Sequence, residues 1–104
     1  MYARHVSFNL KATRPEELTQ IFEKDILPLL QKQSGFADEI TFVSPDRKDG
    51  IAISLWERRE DAEVYSRETY PQVLKSLTRV VEGTPQVRGY EVAVSTLHKS
   101  AATR

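Results

Sequence analysis

The stretch Gly50–Tyr65, GIAISLWERREDAEVY, decides how the chain is read. Ile51, Ile53 and Leu55 alternate with Ala52, Ser54 and Trp56, the period of a strand, and the charged run that follows has the spacing of a helix with Ala62 and Tyr65 on one stripe. A strand therefore passes directly into a helix, and the only tryptophan of the protein sits at the junction.

Working outward, Tyr2 to Leu10 alternates with period two, Tyr2, Arg4, Val6, Phe8 and Leu10 on one side and Ala3, His5, Ser7 and Asn9 on the other. Leu18, Phe22, Ile26 and Leu29 or Leu30 then recur at helical spacing. Thr13 with Glu16 suits a capping box and Gly35 a stop. Pro28 lies inside that helix and cannot donate to the Lys24 carbonyl, so a kink or an early end is expected. Phe36 to Val43 reads as a strand, SPDRKDG as the turn of a hairpin, and Ile51 to Glu57 as its second arm. Helix begins near Arg59, is interrupted at TYP, and resumes from Pro71 to about Glu82, ending at Gly83. Val87 to Leu97 is the last strand. No repeat, linker or low-complexity segment stands out.

The order β-α-β-β-α-β predicts an α+β, ferredoxin-like domain, a four-stranded antiparallel sheet with both helices on one face. Val6, Phe8, Leu10, Ile51, Ile53 and Leu55 are expected under the helices. His5, Ser7, Asn9, Ala52, Ser54 and Trp56 are expected on the opposite face. One domain over 1–98 and a loose tail over 99–104 are expected.

The chain has 104 residues, enough for a single modest core. Fifteen Lys and Arg balance fifteen Asp and Glu, which argues against nucleic-acid or anionic-membrane partners. The absence of cysteine removes disulfides, thiolate nucleophiles and sulfur-based zinc sites. No apolar run approaches the roughly 20 residues of a membrane span and no leader precedes the first strand, so a soluble, cytoplasmic protein is expected. The two histidines, His5 and His98, are not at metal-pair spacing, and no metal is expected. His5 beside Ser7 and Asn9 could handle protons, or it is a histidine hydrogen-bonded in a semi-polar sheet face. Tyr65, Tyr70 and Tyr90 could line an aromatic pocket or belong to the core with hydroxyls reaching water. ERREDAE reads as a solvated helix start rather than a catalytic cluster.

ARHVSFNL, EELTQIFEKDILPLLQKQSGF, ISLWERREDAEVY, YPQVLKSL and VRGYEV together resemble the antibiotic biosynthesis monooxygenase domain of the dimeric α+β barrel superfamily, from about Ala3 to Val94. Trp56 followed by Glu57 at the end of the third strand is its most specific element. The resemblance implies a homodimer whose sheets pack face to face and a small aromatic or quinone-like ligand beside the sheet, oxidised without metal or flavin. Relatives without a reaction imply the alternative, a binding or dimerisation module of the same fold. Trp56, Tyr65, Tyr70 and Asn9 are the implied ligand-binding residues and His5 the nearest base.

Carried over residue by residue, the tryptophan of the polyketide-oxidising members matches Trp56, while their asparagine falls on Ala52, their helix tyrosine near Ala62 or Glu63, and their arginine near Ser76, with Lys75 and Arg79 close by. In the haem-degrading members the helix tryptophan falls on Tyr65, the axial histidine on Lys75 or a neighbour, and the first-strand asparagine near Val6. No cofactor, and no haem in particular, is expected.

Overall fold

The structure is a computed structural model that describes residues 1–12 and 15–96. The Thr13 half of the capping box, His98 and the tail lie outside the described residues. Strand β1 (Tyr2–Leu10) leads into α1 (Pro15–Ile21), a π-helical turn (Phe22–Ile26) and α2 (Leu27–Gln31). The hairpin of β2 (Phe36–Val43) and β3 (Asp49–Trp56) follows, then α3 (Arg59–Glu68), α4 (Tyr70–Leu77) and β4 (Val81–Glu91). The strands form one antiparallel sheet in the order β2-β3-β1-β4, the ferredoxin-like α+β arrangement.

Pro28 leaves its mark upstream. The Leu27 amide bonds back to the Phe22 carbonyl, five residues away, and the widened turn lets the helical segment continue to Gln31. Gly35 stops it with φ +79°, the left-handed conformation a glycine adopts without a Cβ penalty. Thr69 breaks the second helical region, as TYP predicts. The last helix ends at Leu77 rather than Glu82. Val80 and Val81 are buried as the chain enters β4, and Gly83, at φ +70°, lies in that strand beside an irregularity opposite Ser7–Asn9 instead of capping a helix. The β4 strand accordingly ends at Glu91, short of the predicted Leu97.

The register corrects the assignment of faces. Tyr2 pairs with Trp56, Arg4 with Ser54, Val6 with Ala52 and Phe8 with Gly50. Paired residues share a side of the sheet, so Ala52, Ser54 and Trp56 lie under the helices with Val6 and Phe8. Ile51, Ile53 and Leu55 lie with His5, Ser7 and Asn9 on the open face. The aliphatic set of β3 thus faces outward, and the small residues Gly50, Ala52 and Ser54, together with Trp56, face the helices. Gly50 is the extreme case, since a Cβ there would come within 2.7 Å of the Phe8 ring and the Phe42 carbonyl. Helix residues Leu18, Ile21, Phe22, Ile26, Leu30, Ala62, Tyr65, Val73 and Leu77 complete the core.

Candidate functional site

Trp56 is the centre of that core, with 0% of its surface exposed. Its indole N–H donates to Ser54 Oγ at 2.9 Å. Its ring meets Phe36 edge-on at 5.6 Å and Tyr65 at 5.1 Å, and Tyr65 in turn lies 6.1 Å from Tyr70. These aromatics form a row from the sheet edge inward, and Arg4 stands at its end. The Arg4 guanidinium carbon is 3.9 Å from the Tyr70 ring centroid and 5.1 Å from that of Tyr65, a cation–π placement.

Arg4 is only 5% exposed. Its Nε–H donates to Ser66 Oγ at 2.7 Å, and among the described residues no carboxylate pairs with it. Burial pulls the guanidinium below its ordinary pKa, with the neighbouring phenols of Tyr65 and Tyr70 acting the other way. The Tyr70 phenol oxygen is buried without a hydrogen bond of good geometry, and its polar neighbour is the Arg4 guanidinium over its ring, which acts to lower the phenol pKa. Burial raises the pKa of both phenols, so Tyr65 and Tyr70 stay protonated near neutrality.

A cavity of about 30 Å³ opens here between sheet and helices, room for one or two waters. Arg4, Glu39, Ser54, Tyr65 and Tyr70 supply its polar groups. Phe8, Phe22, Ile26, Leu30, Val73 and Leu77 are among its apolar walls, so the π-helical turn forms one side of it. Glu39 accepts from Thr41 Oγ1 at 2.8 Å, and burial holds its carboxyl above the usual range, the Thr41 bond opposing. A cation, a carboxyl of raised proton affinity and an unsatisfied phenol thus face one small, otherwise apolar space.

Tyr65 and Tyr70 line this cavity, while Trp56 packs behind Tyr65 and does not. His5 and Asn9 stand across the sheet. His5 has a buried Nδ1 without a partner and meets Tyr90 edge-on at 6.1 Å. Asn9 is exposed, in a surface hollow with Ser7, Asp49 and Gln86. The structure therefore does not bring His5 to Tyr65 and Tyr70. It brings Arg4 and Glu39 instead, neither of which the sequence reading singled out. Among the described residues no cluster of three or more histidine, aspartate or glutamate side chains is placed to hold a metal ion, and no helix is long and apolar enough to cross a membrane.

An α+β sheet of this order is the fold of solved structures named as antibiotic biosynthesis monooxygenases. SnoaB, a cofactor-independent oxygenase from Streptomyces nogalater, matches with a TM-score of 0.74 at 12% identity over 93% of this chain and 97% of its own. The ActVA-Orf6 monooxygenase of Streptomyces coelicolor, in complex with nanaomycin D, matches with 0.73 at 14% identity over 94% and 92%. NE2512 from Nitrosomonas europaea, a protein of unknown function, matches with 0.74 at 12% identity over 95% of each chain. No protein-family model and no curated protein matches the chain.

Proposed function

We propose that the protein binds a small aromatic or quinone-like molecule in the cavity at Arg4, Glu39, Tyr65 and Tyr70 and oxidises it with molecular oxygen, as a homodimer. The observation that carries the reading is a buried, carboxylate-free guanidinium beside an unsatisfied phenol in an apolar enclosure. A buried polar group without a well-formed hydrogen bond is costly, and a ligand oxygen could accept from the Tyr70 hydroxyl and from the free guanidinium donors of Arg4 at once. The fold, shared with oxygenases of which one is in complex with nanaomycin D, supports the chemistry. A ring is larger than this cavity, so binding requires the wall to give. The π-helical turn carrying Phe22 and Ile26, already relaxed from regular helical bonding, is the segment suited to do so.

Oxidation of an anthrone to an anthraquinone sets the requirement. The methylene loses both hydrogens, dioxygen supplies the new carbonyl oxygen and leaves as water, and the substrate itself furnishes the electrons. The protein's part is to orient the ring on Tyr65 and Tyr70 and to hold the developing charge. Oxygen uptake above that of heat-denatured protein is expected with at least one member of a panel of anthrones and hydroquinones. Uptake at background throughout would sink the catalytic half of the reading. The second reading, a binding module without turnover, is favoured by Ala52, which stands where the resemblance places the asparagine of the polyketide-oxidising members.

Haem is not expected to bind. Lys75, at or beside the position of the axial histidine in the haem-degrading members, is exposed on α4, and a protonated lysine has no lone pair for iron. Titration with haemin should give no sharp Soret band; a histidine-type spectrum would overturn this.

A further inference from the structure

We propose that the cavity selects its ligand as an oxyanion, an aromatic phenolate or carboxylate whose charged oxygen sits on the Arg4 guanidinium and the Tyr70 hydroxyl, with Glu39 taking up one proton as it binds. The inference rests on the proposed function and adds the chemical class of the ligand.

Every titratable group that lines the cavity takes part in the reasoning: Arg4 from β1, Glu39 from β2, Tyr65 from α3 and Tyr70 from α4. Arg4 is the one cation among them; its Nε–H donates to the neutral Ser66 hydroxyl, and its guanidinium also interacts with the Tyr70 phenol, with no carboxylate bound to it among the described residues. A guanidinium offers five N–H donors. One is committed to Ser66, so donors remain for a ligand. Tyr70 can donate its O–H, which no well-formed hydrogen bond commits elsewhere. Tyr65 and Tyr70 are protonated and add no negative charge. These donors suit an anionic oxygen, and charge-assisted bonds of this kind are about twice as strong as neutral ones.

Glu39 settles the proton balance. With Arg4 charged and Glu39 ionised the cavity is neutral, and an incoming anion would leave one negative charge in excess in a poorly hydrated space. Protonation of Glu39 removes that excess, and burial already biases its carboxyl in that direction. A phenol entering neutral can supply the proton itself: its O–H bond breaks, the proton passes to a Glu39 oxygen directly or through a water, and the phenolate remains on Arg4. A carboxylate entering as the anion draws the proton from solvent.

The test uses the full chain with para-nitrophenol, whose phenolate absorbs to the red of the phenol, and para-nitroanisole, its methyl ether, which cannot ionise. In buffer acidic enough to keep free para-nitrophenol protonated, added protein should raise the phenolate band, and para-nitroanisole should bind at least about tenfold more weakly. Arg4→Met should abolish the band. Tyr70→Phe removes one hydroxyl and keeps the ring under Arg4, so it should leave the fold intact and still lower the band, which keeps the idea exposed should Arg4→Met fail to fold. Equal affinity for the two probes with no phenolate band would overturn the oxyanion inference and leave the proposed binding site standing. Failure of both probes to bind would overturn the two together.

Discussion

Trp56→Ala is expected to lower the unfolding free energy by about 3–5 kcal/mol, the range for removal of a large aromatic side chain from a packed core. Trp56 has no exposed surface, its indole N–H is held by Ser54, and its ring joins the sheet edge at Phe36 to the helix layer at Tyr65. Its loss opens a void, leaves Ser54 without its donor, and frees Tyr65 to tilt away from the cavity. A domain of this size commonly has only about 5–15 kcal/mol of stability to lose. Denaturant unfolding followed by circular dichroism measures the effect. Trp56→Phe should also cost more than Tyr65→Phe, which removes one phenol oxygen from a ring that keeps its packing. A midpoint for Trp56→Ala equal to that of the wild type would show that the tryptophan is not part of the core.

The same residue shows where the sequence was legible. Element order, the limits of β2 and the break before Pro71 are carried by local signals, namely alternation, turn residues and the proline rule, and each survives in the structure. Which side of a strand meets the helices is not a local property. In β3 the more hydrophobic set, Ile51, Ile53 and Leu55, was the natural choice for the interior. Pairing with β1 places Ala52, Ser54 and Trp56 there instead, and the small Ala52 and Ser54 leave room for Phe22, Tyr65 and Tyr70 from the helices.

The site was hidden for related reasons. Arg4 was visible as a charge on the apolar side of β1, the one local signal of a buried functional cation, and alternation alone carried the reading past it. Glu39 could not be placed by alternation. The register of β2 shifts between Phe36 and Asp38, so Phe36 and Glu39, three positions apart, both pair with residues on the helix side, opposite Trp56 and Ser54. Counting by twos from Phe36 passes over Glu39.

Ile53→Arg is expected to dissociate the proposed homodimer, and Ser54→Arg, its neighbour in sequence, to fail in a different way. The open face of the sheet carries Ile40, Phe42, Ile51 and Tyr90, from 36% to 50% exposed, around the half-buried Ile53 and Leu55. A sheet surface left in water normally alternates to polar residues, and a contiguous apolar patch of this kind marks an interaction surface. A second copy of the same face, packed at about 10 Å, would bury it with the two-fold symmetry most dimers have. Ile53 sits near its middle, paired with His5 on one side and Ile40 on the other. An arginine there would lose its water without gaining a partner, a cost of about several kcal/mol for each of two symmetry-related charges. Light scattering should give twice the 11.9 kDa chain mass for the wild type and the single chain mass for Ile53→Arg, which stays folded because its own core is untouched. Ser54→Arg instead forces a guanidinium beneath the helices against Trp56 and should unfold the protomer itself. A wild type that scatters as a single chain at micromolar concentration would remove the dimer, and a dimer that tolerates Ile53→Arg would move the interface off this face.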